Sequence, residues 1–228
     1  MKKKVVVFTG AGISAESGLS TFRDTSGLLD TYNIEDVASL DAFTKNPKIV
    51  LDFYNIRRRQ LLKCKPNIAH YSINKLMNKF DLSIITQNID DLHERSGALD
   101  VLHLHGKLIE SKSIIDNKVY QISGEELNLG DCCPKGGQLR PNVVWFGEQV
   151  PNMEIAINMV KKAHIFIIIG TSLNVYPAAS LVNYASNASR IILVDPNPVA
   201  NETNVNFELI SKKATEGVPE LVSYLLDI

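Results

Sequence analysis

Four short stretches hold residue types whose spacing could do chemistry. In FTGAGISAESGLSTFRD (8–24), two glycines flank an alanine directly after an apolar run, and an arginine follows. A glycine pair permits a tight turn in which backbone N–H groups approach an anion. A guanidinium near such a turn can pair bidentately with a pyrophosphate. Gly10, Gly12 and Arg23 therefore read as a dinucleotide holder, with Ser14 as a candidate helix cap. TQNIDDLHERSG (86–97) puts Gln87, Asn88 and Asp90 directly behind a second apolar run. Side-chain amides there suit a ribose and a carboxamide, while Asp90 or Asp91 also suits a helix cap. HLHG (103–106) spaces two histidines so that, on a strand, they face the same way. The pair could ligate a metal, but no third ligand stands nearby. A histidine beside a glycine at a strand end is a fair general-base candidate.

The fourth stretch is PKIVLDFYNIRRRQLL (47–62). On a helical wheel of about 100° per residue, Ile49, Val50, Phe53, Tyr54, Ile56 and Leu61 cluster on one face. Arg57 falls near the centre of that face, with Tyr54 one turn before it. Arg58 and Arg59 fall outside it and read as solvated. The wheel leaves open whether Arg57 points inward or snorkels to water. An inward guanidinium expects a carboxylate, because an unpaired buried cation is costly.

These residues need elements to hold them. Apolar runs at 4–9, 82–86, 164–169 and 190–194 read as strands buried on both faces, and 101–105 alternates. Helical patterns at 47–63, 67–80, 152–162 and 177–188 separate them. Strands alternating with helices predict an α/β fold with a doubly wound parallel, Rossmann-like sheet. Each run ends in a polar or glycine-rich loop, and in such sheets ligands bind beyond the carboxyl ends of the strands. The expected sheet domain comprises 1–29, 77–106 and 142–228. Residues 30–76 and 107–141, the second polar and without clear period, form a small inserted module.

Composition narrows the class. The chain has 228 residues, 45% hydrophobic and 21% charged, with a formal net charge of −1. That balance provides no broad basic field for nucleic acid. No apolar stretch is long enough to span a membrane, and MKKKVVVFTG reads better as a buried strand than as a signal peptide. Three cysteines, two of them adjacent, make no disulfide framework, so a cytoplasmic location is expected.

GAGISAESGLSTFR, TQNIDDLHERSG, HLHG, RPNVVWFGE and GTSLNVYPAA occur in this order over most of the chain. The ordered set resembles the sirtuins, NAD-dependent protein lysine deacylases. It is most similar to bacterial members of the class that prefers acidic acyl groups. The resemblance implies that Gly10, Ala11, Gly12 and Ser14 bind the NAD pyrophosphate. Phe22 would guard the nicotinamide, and Arg23 would reach phosphate. Gln87, Asn88, Ile89 and Asp90 would contact the nicotinamide ribose and carboxamide. Gly170, Thr171 and Ser172 would lie on the adenosine side, with Asp195 and Asn197 at the second ribose and Ala214 near the adenine.

His105, with Asn88, would be catalytic, and His103 structural. The substrate's amide oxygen would attack the nicotinamide ribose, His105 would deprotonate the ribose hydroxyls, and O-acyl-ADP-ribose and nicotinamide would leave. Val143, Trp145, Phe146 and Gly147 would pack the acyl-lysine stem and add to the substrate backbone as a strand. Tyr54 and Arg57 match the Tyr-x-x-Arg pair that binds succinyl and malonyl carboxylates. The partners implied are acylated lysines of proteins, with acetyl-lysine also turned over. An NAD glycohydrolase, an ADP-ribosyltransferase and an inactive NAD sensor are the rival readings.

One departure is large. Sirtuins usually hold a structural zinc with two cysteine pairs. Here GKLIESKSIIDNK (106–118) lacks the first pair, leaving Cys132 and Cys133. Two adjacent cysteines do not close a tetrahedral site, so no structural zinc is expected.

Overall fold

The apolar runs become strands whose side chains alternate between two buried layers. The computed structural model describes residues 2–19, 33–197 and 205–228, so Phe22 and Arg23 lie outside the described residues. Among them are strands β1 (Lys4–Thr9), β2 (Asp81–Thr86), β3 (Val101–His103), β4 (Gly106–Ser113), β5 (Val119–Gln121), β6 (Leu139–Val143), β7 (Ile165–Ile169), β8 (Arg190–Val194) and β9 (Glu208–Ile210). The α-helices are α1 (Gly12–Ala15), α2 (Ile34–Val37), α3 (Leu40–Lys45), α4 (Pro47–Lys63), α5 (Ile68–Lys75), α6 (Leu92–Arg95), α7 (Met153–Lys161) and α8 (Ala214–Asp227).

The larger sheet runs β3-β2-β1-β7-β8-β9 with every neighbouring pair parallel. The strand order reverses between β1 and β7, so the expected doubly wound sheet is present and its switch point lies there. Val5 and Val7 face a layer built with α5 and α8, while Val6 and Phe8 face one built with α7 and the 3-10 stretch Ala178–Tyr184. Both faces are apolar, which is why these strands read as continuous runs.

Several expected elements are corrected. The helix expected at 177–188 forms only as that 3-10 stretch, because Ala185–Ser189 consists of small and turn-forming residues. The helix expected at 67–80 shortens to α5 and a 3-10 turn at Leu76–Asn78. Strand β9 and helix α8 escaped the sequence reading. The first is short and partly exposed, and Gly217 and Pro219 disguise the second. Gly217 is there for contact: a Cβ would lie 2.8 Å from Val194 Cγ1, so only glycine lets α8 press onto β8.

Residues 107–141 contain a small antiparallel sheet ordered β5-β4-β6. A register shift in β4 between Lys107 and Ser111 breaks the alternation that would have announced it. With α2, α3 and α4 this sheet encloses a third apolar core, which includes Phe43, Phe53, Tyr54, Leu108 and Trp145. Helix α5, counted with the small module in the sequence, places Ala69 and Ile73 in the large-sheet core.

Helix α4 starts with Asn46, whose side chain accepts from Ile49 N, followed by Pro47 in its first turn. Arg58, expected in solvent, is 1% exposed. Its Nε donates to Leu108 O at 2.9 Å and its Nη1 to Asn55 Oδ1 at 2.7 Å. Asn55 in turn donates to Leu127 O and accepts from Leu127 N. Backbone carbonyls of the small sheet supply polar partners that a wheel cannot see. Burial lowers the Arg58 pKa to about 10. Arg59 ion-pairs with Glu126 at the surface, and Ile49, expected inward, is 40% exposed.

The cysteines do not fit a zinc site. Cys132 is exposed, and buried Cys133 accepts a hydrogen bond from Ser113 Oγ at 3.2 Å. No group of three or more His, Cys, Asp or Glu among the described residues could hold a metal ion. Elemental analysis of the untagged protein is expected to find far less than one zinc per chain, with the unfolding midpoint unmoved by chelator. Stoichiometric zinc, or chelator-induced unfolding, would refute this, since a structural zinc contributes folding energy directly.

Candidate active site

The loops after β1, β2, β3, β7 and β8 line one cleft of about 580 Å³. It brings together Gly10, Ala11, Gly12 and Ser14; Gln87, Asn88, Ile89 and Asp90; His105; Gly170, Thr171 and Ser172; and Asp195 and Asn197. Local contacts explain the glycines. A Cβ on Gly12 would lie 2.6 Å from Gly170 Cα, and one on Gly10 2.7 Å from Gly170 O. The Gly10 and Gly12 N–H groups donate to Ile169 O at 3.0 Å and Gly170 O at 2.9 Å. These glycines therefore let two ligand loops touch, and the expected approach of their N–H groups to an anion is corrected.

Side chains lock the loops further. Ser14, expected as a cap, lies inside α1 and its Oγ donates to Asp90 Oδ2 at 2.9 Å. Asn88 Nδ2 donates to Gly10 O at 3.1 Å and Ser14 Oγ at 3.2 Å. Asp90 Oδ1 accepts from Leu92 N at the start of α6, and burial raises its carboxyl pKa. Gln87 Nε2 donates to Thr171 Oγ1 at 3.0 Å. Ala214 lies at the start of α8, buried in the large-sheet core.

The two histidines bond to consecutive carbonyls of one turn. His105 Nδ1 lies 2.9 Å from Gln87 O, and His103 Nδ1 lies 3.0 Å from Asn88 O. A carbonyl only accepts, so His105 Nδ1 carries the hydrogen and Nε2 keeps its lone pair. Burial lowers the His105 pKa from its ordinary value, so the ring is neutral at neutral pH. His103 Nε2 meets Glu94 Oε1 at 2.9 Å, where Lys107 Nζ also binds at 2.7 Å. Burial alone would raise the Glu94 pKa, but these hydrogen bonds hold it down to about 2. His103 is thus saturated by its neighbours, whereas His105 lines the cleft with Nε2 unclaimed by any described residue.

The same cleft is lined by Tyr54, Arg57, Val143, Trp145, Phe146 and Gly147. Arg57 is half-buried, 5.8 Å over the Phe53 ring, and makes no ion pair with a described carboxylate. Burial lowers its pKa, with Tyr54 and Asp90 opposing. Gly106, the first residue of β4, has φ +80°, and a Cβ there would lie 2.0 Å from Asn142 O. Only glycine lets the chain turn from His105 into the small sheet beside Val143. The Val144 N–H then donates to His105 O at 2.9 Å, tying the histidine loop to the 143–147 segment.

Residues 10–177 match the Sir2 family model. The chain is 47% identical over 230 residues to an NAD-dependent protein deacylase of Bacteroides thetaiotaomicron, covering 98% of each. It is 48% identical over 227 residues to one of Helicobacter pylori, covering 99% of each. The chain belongs to the Sir2 family. Among solved Sir2 structures, a homologue bound to ADP-ribose superposes with a TM-score of 0.90 at 37% identity, covering 99% of this chain and 93% of that one. A Sir2 homologue–NAD complex gives 0.89 at 36% identity, over 99% and 90%.

In this Sir2 chain the cleft has walls that sequence reasoning did not name as site residues. Asn174, Val175 and Tyr176 line it, Tyr176 being 73% exposed at the mouth. An exposed aromatic directly after a strand-end loop was the available signal. No helix among the described residues is long and apolar enough to cross a membrane.

Behind the cleft lies a buried histidine pair. His70 and His93 have ring centroids 5.0 Å apart, and burial lowers their pKa values to about 4 and about 3. Both are neutral when folded but titrate near pH 6.5 when unfolded, so the unfolded chain binds more protons below that pH. Glu94 adds to this below its ordinary range, while Asp90, with its raised pKa, opposes it. Stability is expected to fall by about 2 kcal/mol per histidine between pH 7 and 5. A urea midpoint that stays constant over that range would refute it.

Proposed function

We propose that this chain is an NAD-dependent protein-lysine deacylase that removes succinyl and malonyl groups as well as acetyl. The observation that carries the reading is one cleft with a neutral imidazole inside and, on α4, a guanidinium with no carboxylate partner among the described residues. The relatives named NAD-dependent protein deacylases and a Sir2 structure bound to acetylated peptide support the deacylase part.

Residues of the β1, β2, β7 and β8 loops would hold NAD: Gly10–Ser14, Gln87–Asp90, Gly170–Ser172, and Asp195 with Asn197. NAD would supply an electrophilic ribose carbon and the acyl acceptor; with one water consumed to release the lysine amine, the products are nicotinamide, O-acyl-ADP-ribose and free lysine. The rigid Ser14–Asn88–Asp90 network orients the turn on which that ribose rests. His105 Nε2 takes the ribose hydroxyl proton, and the Gln87 carbonyl keeps its ring in the required tautomer. Val143–Gly147 guides the acyl-lysine stem. Tyr54 and Arg57 receive the acyl terminus, and a carboxylate there neutralises Arg57.

Purified protein incubated with NAD and succinyl-, malonyl- or acetyl-lysine peptide tests this. Coupled loss of NAD and acyl-peptide supports deacylation. NAD loss independent of peptide would mean a glycohydrolase, and no loss would mean a sensor. Turnover of acetyl-peptide alone would remove the dicarboxylic acyl groups from the proposal.

A further inference from the structure

Trp145, expected to pack the lysine stem, lines the cleft, is 2% exposed and spends its one polar side-chain atom on a neighbour. The indole Nε1 donates to Tyr54 Oη at 2.9 Å. We propose that Trp145 sets acyl selectivity as a positioning residue, by holding the Tyr54 hydroxyl as a hydrogen-bond donor toward the acyl terminus. This rests on the reading of Tyr54 and Arg57 as the acyl-carboxylate end of the cleft.

The argument is one of donors and acceptors. An indole N–H can only donate, so Tyr54 Oη must accept from it. The phenol hydrogen then turns away from Trp145, and no described residue accepts it. One turn along α4, Arg57 likewise offers only donors and has no carboxylate partner among the described residues. Two donors side by side, one cationic, are complementary to a carboxylate and leave an uncharged acyl terminus unable to satisfy them. A site of unpaired polar groups discriminates strongly against a ligand that lacks their partner.

The indole is held firmly enough to dictate this polarity. The Arg140 guanidinium lies 4.0 Å from its ring centroid, and the Phe43 ring lies at 5.4 Å. Trp145 N donates to Glu148 Oε2 at 2.8 Å, and Glu148 is ion-paired with Arg140. The clamp thus runs from backbone to ring, and only the N–H end reaches Tyr54. When a carboxylate accepts the Tyr54 hydrogen, the phenol oxygen becomes a better acceptor for the indole, so the two bonds reinforce each other.

The test compares succinyl- and acetyl-lysine peptides with saturating NAD in wild type, Trp145→Phe, Tyr54→Phe and the double variant. Trp145→Phe keeps an aromatic ring and removes the N–H. It is expected to lower the succinyl-to-acetyl ratio of kcat/KM by about fivefold, mainly through KM. The double variant should have the same ratio as Tyr54→Phe alone. An unchanged ratio in Trp145→Phe, or losses that multiply in the double variant, overturns the proposal.

A second measurement needs no Trp145 variant, since Trp145 is the only tryptophan in the chain. Succinyl-peptide should change its fluorescence more than acetyl-peptide does, and Tyr54→Phe should abolish the difference. Equal responses in wild type overturn the proposal. Wild type that does not turn over succinyl-peptide overturns the reading of the cleft and this inference with it, whereas intact succinyl turnover with an unmoved ratio overturns this inference alone.

Discussion

His105→Ala is expected to lower kcat by a factor on the order of 10² or more while NAD still binds, the usual scale of losing a general base. The expectation follows from hydrogen bonding. Gln87 O fixes the hydrogen on Nδ1, which leaves Nε2 as the one basic nitrogen facing the cleft. His103, two residues earlier, is engaged on both ring nitrogens by Asn88 O and Glu94, so neither is open to a ligand. The pH profile should carry the same signature. The base works when neutral, and burial lowers its pKa, so the acid limb of kcat/KM is expected below pH 6.5. Isothermal titration with NAD and steady-state kinetics separate binding from chemistry. A variant at His103 that stops turnover with an active His105→Ala beside it would reverse the assignment.

Arg57→Met is expected to cost succinyl-peptide roughly 2–3 kcal/mol in kcat/KM, or about 30- to 150-fold, relative to acetyl-peptide. That is the scale of a charge-assisted hydrogen bond, and methionine keeps most of the apolar stem. Arg57 has no described carboxylate partner and faces the cleft beside Tyr54, so its interactions are available to a ligand. Parallel kinetics on both peptides decide the matter: equal losses would mean that Arg57 only supports the fold.

The contrast between Arg57 and Arg58 shows what was legible in the sequence. The wheel correctly placed Arg57 among apolar neighbours, because a helix face is set by spacing alone. It misplaced Arg58, because a second face of α4 is covered by the small sheet, whose binding groups are backbone carbonyls without sequence identity. The strands were readable because both their faces are apolar. Strand β9 was not, being an edge of three residues, and neither was α8, whose glycine serves a contact 23 residues away at Val194. The ligand loops were recognisable from glycines and amides, but the reason for the glycines was not. Gly10 and Gly12 are small because another loop lies against them, a tertiary fact that no local pattern encodes. Ala214 could not be placed by composition, since a small apolar residue fits a core and a ligand site equally well.

Helix α4 places two adjacent arginines in different surroundings: one is bound to the frame of the small sheet, and the next residue toward the N-terminus lines the cleft without a carboxylate partner among the described residues. They differ by a single helical step of about 100°. Inserting one residue between Asn46 and Tyr54 would carry Phe53 and Ile56 into the places of Tyr54 and Arg57, and Arg57 into that of Arg58, so the cleft would lose both polar groups while the frame kept a guanidinium. Deleting one would carry Asn55 into the place of Tyr54, while Arg58 and Arg59 filled the two arginine places. Either change removes the phenol from the cleft, so length in this segment should be less tolerant of change than composition.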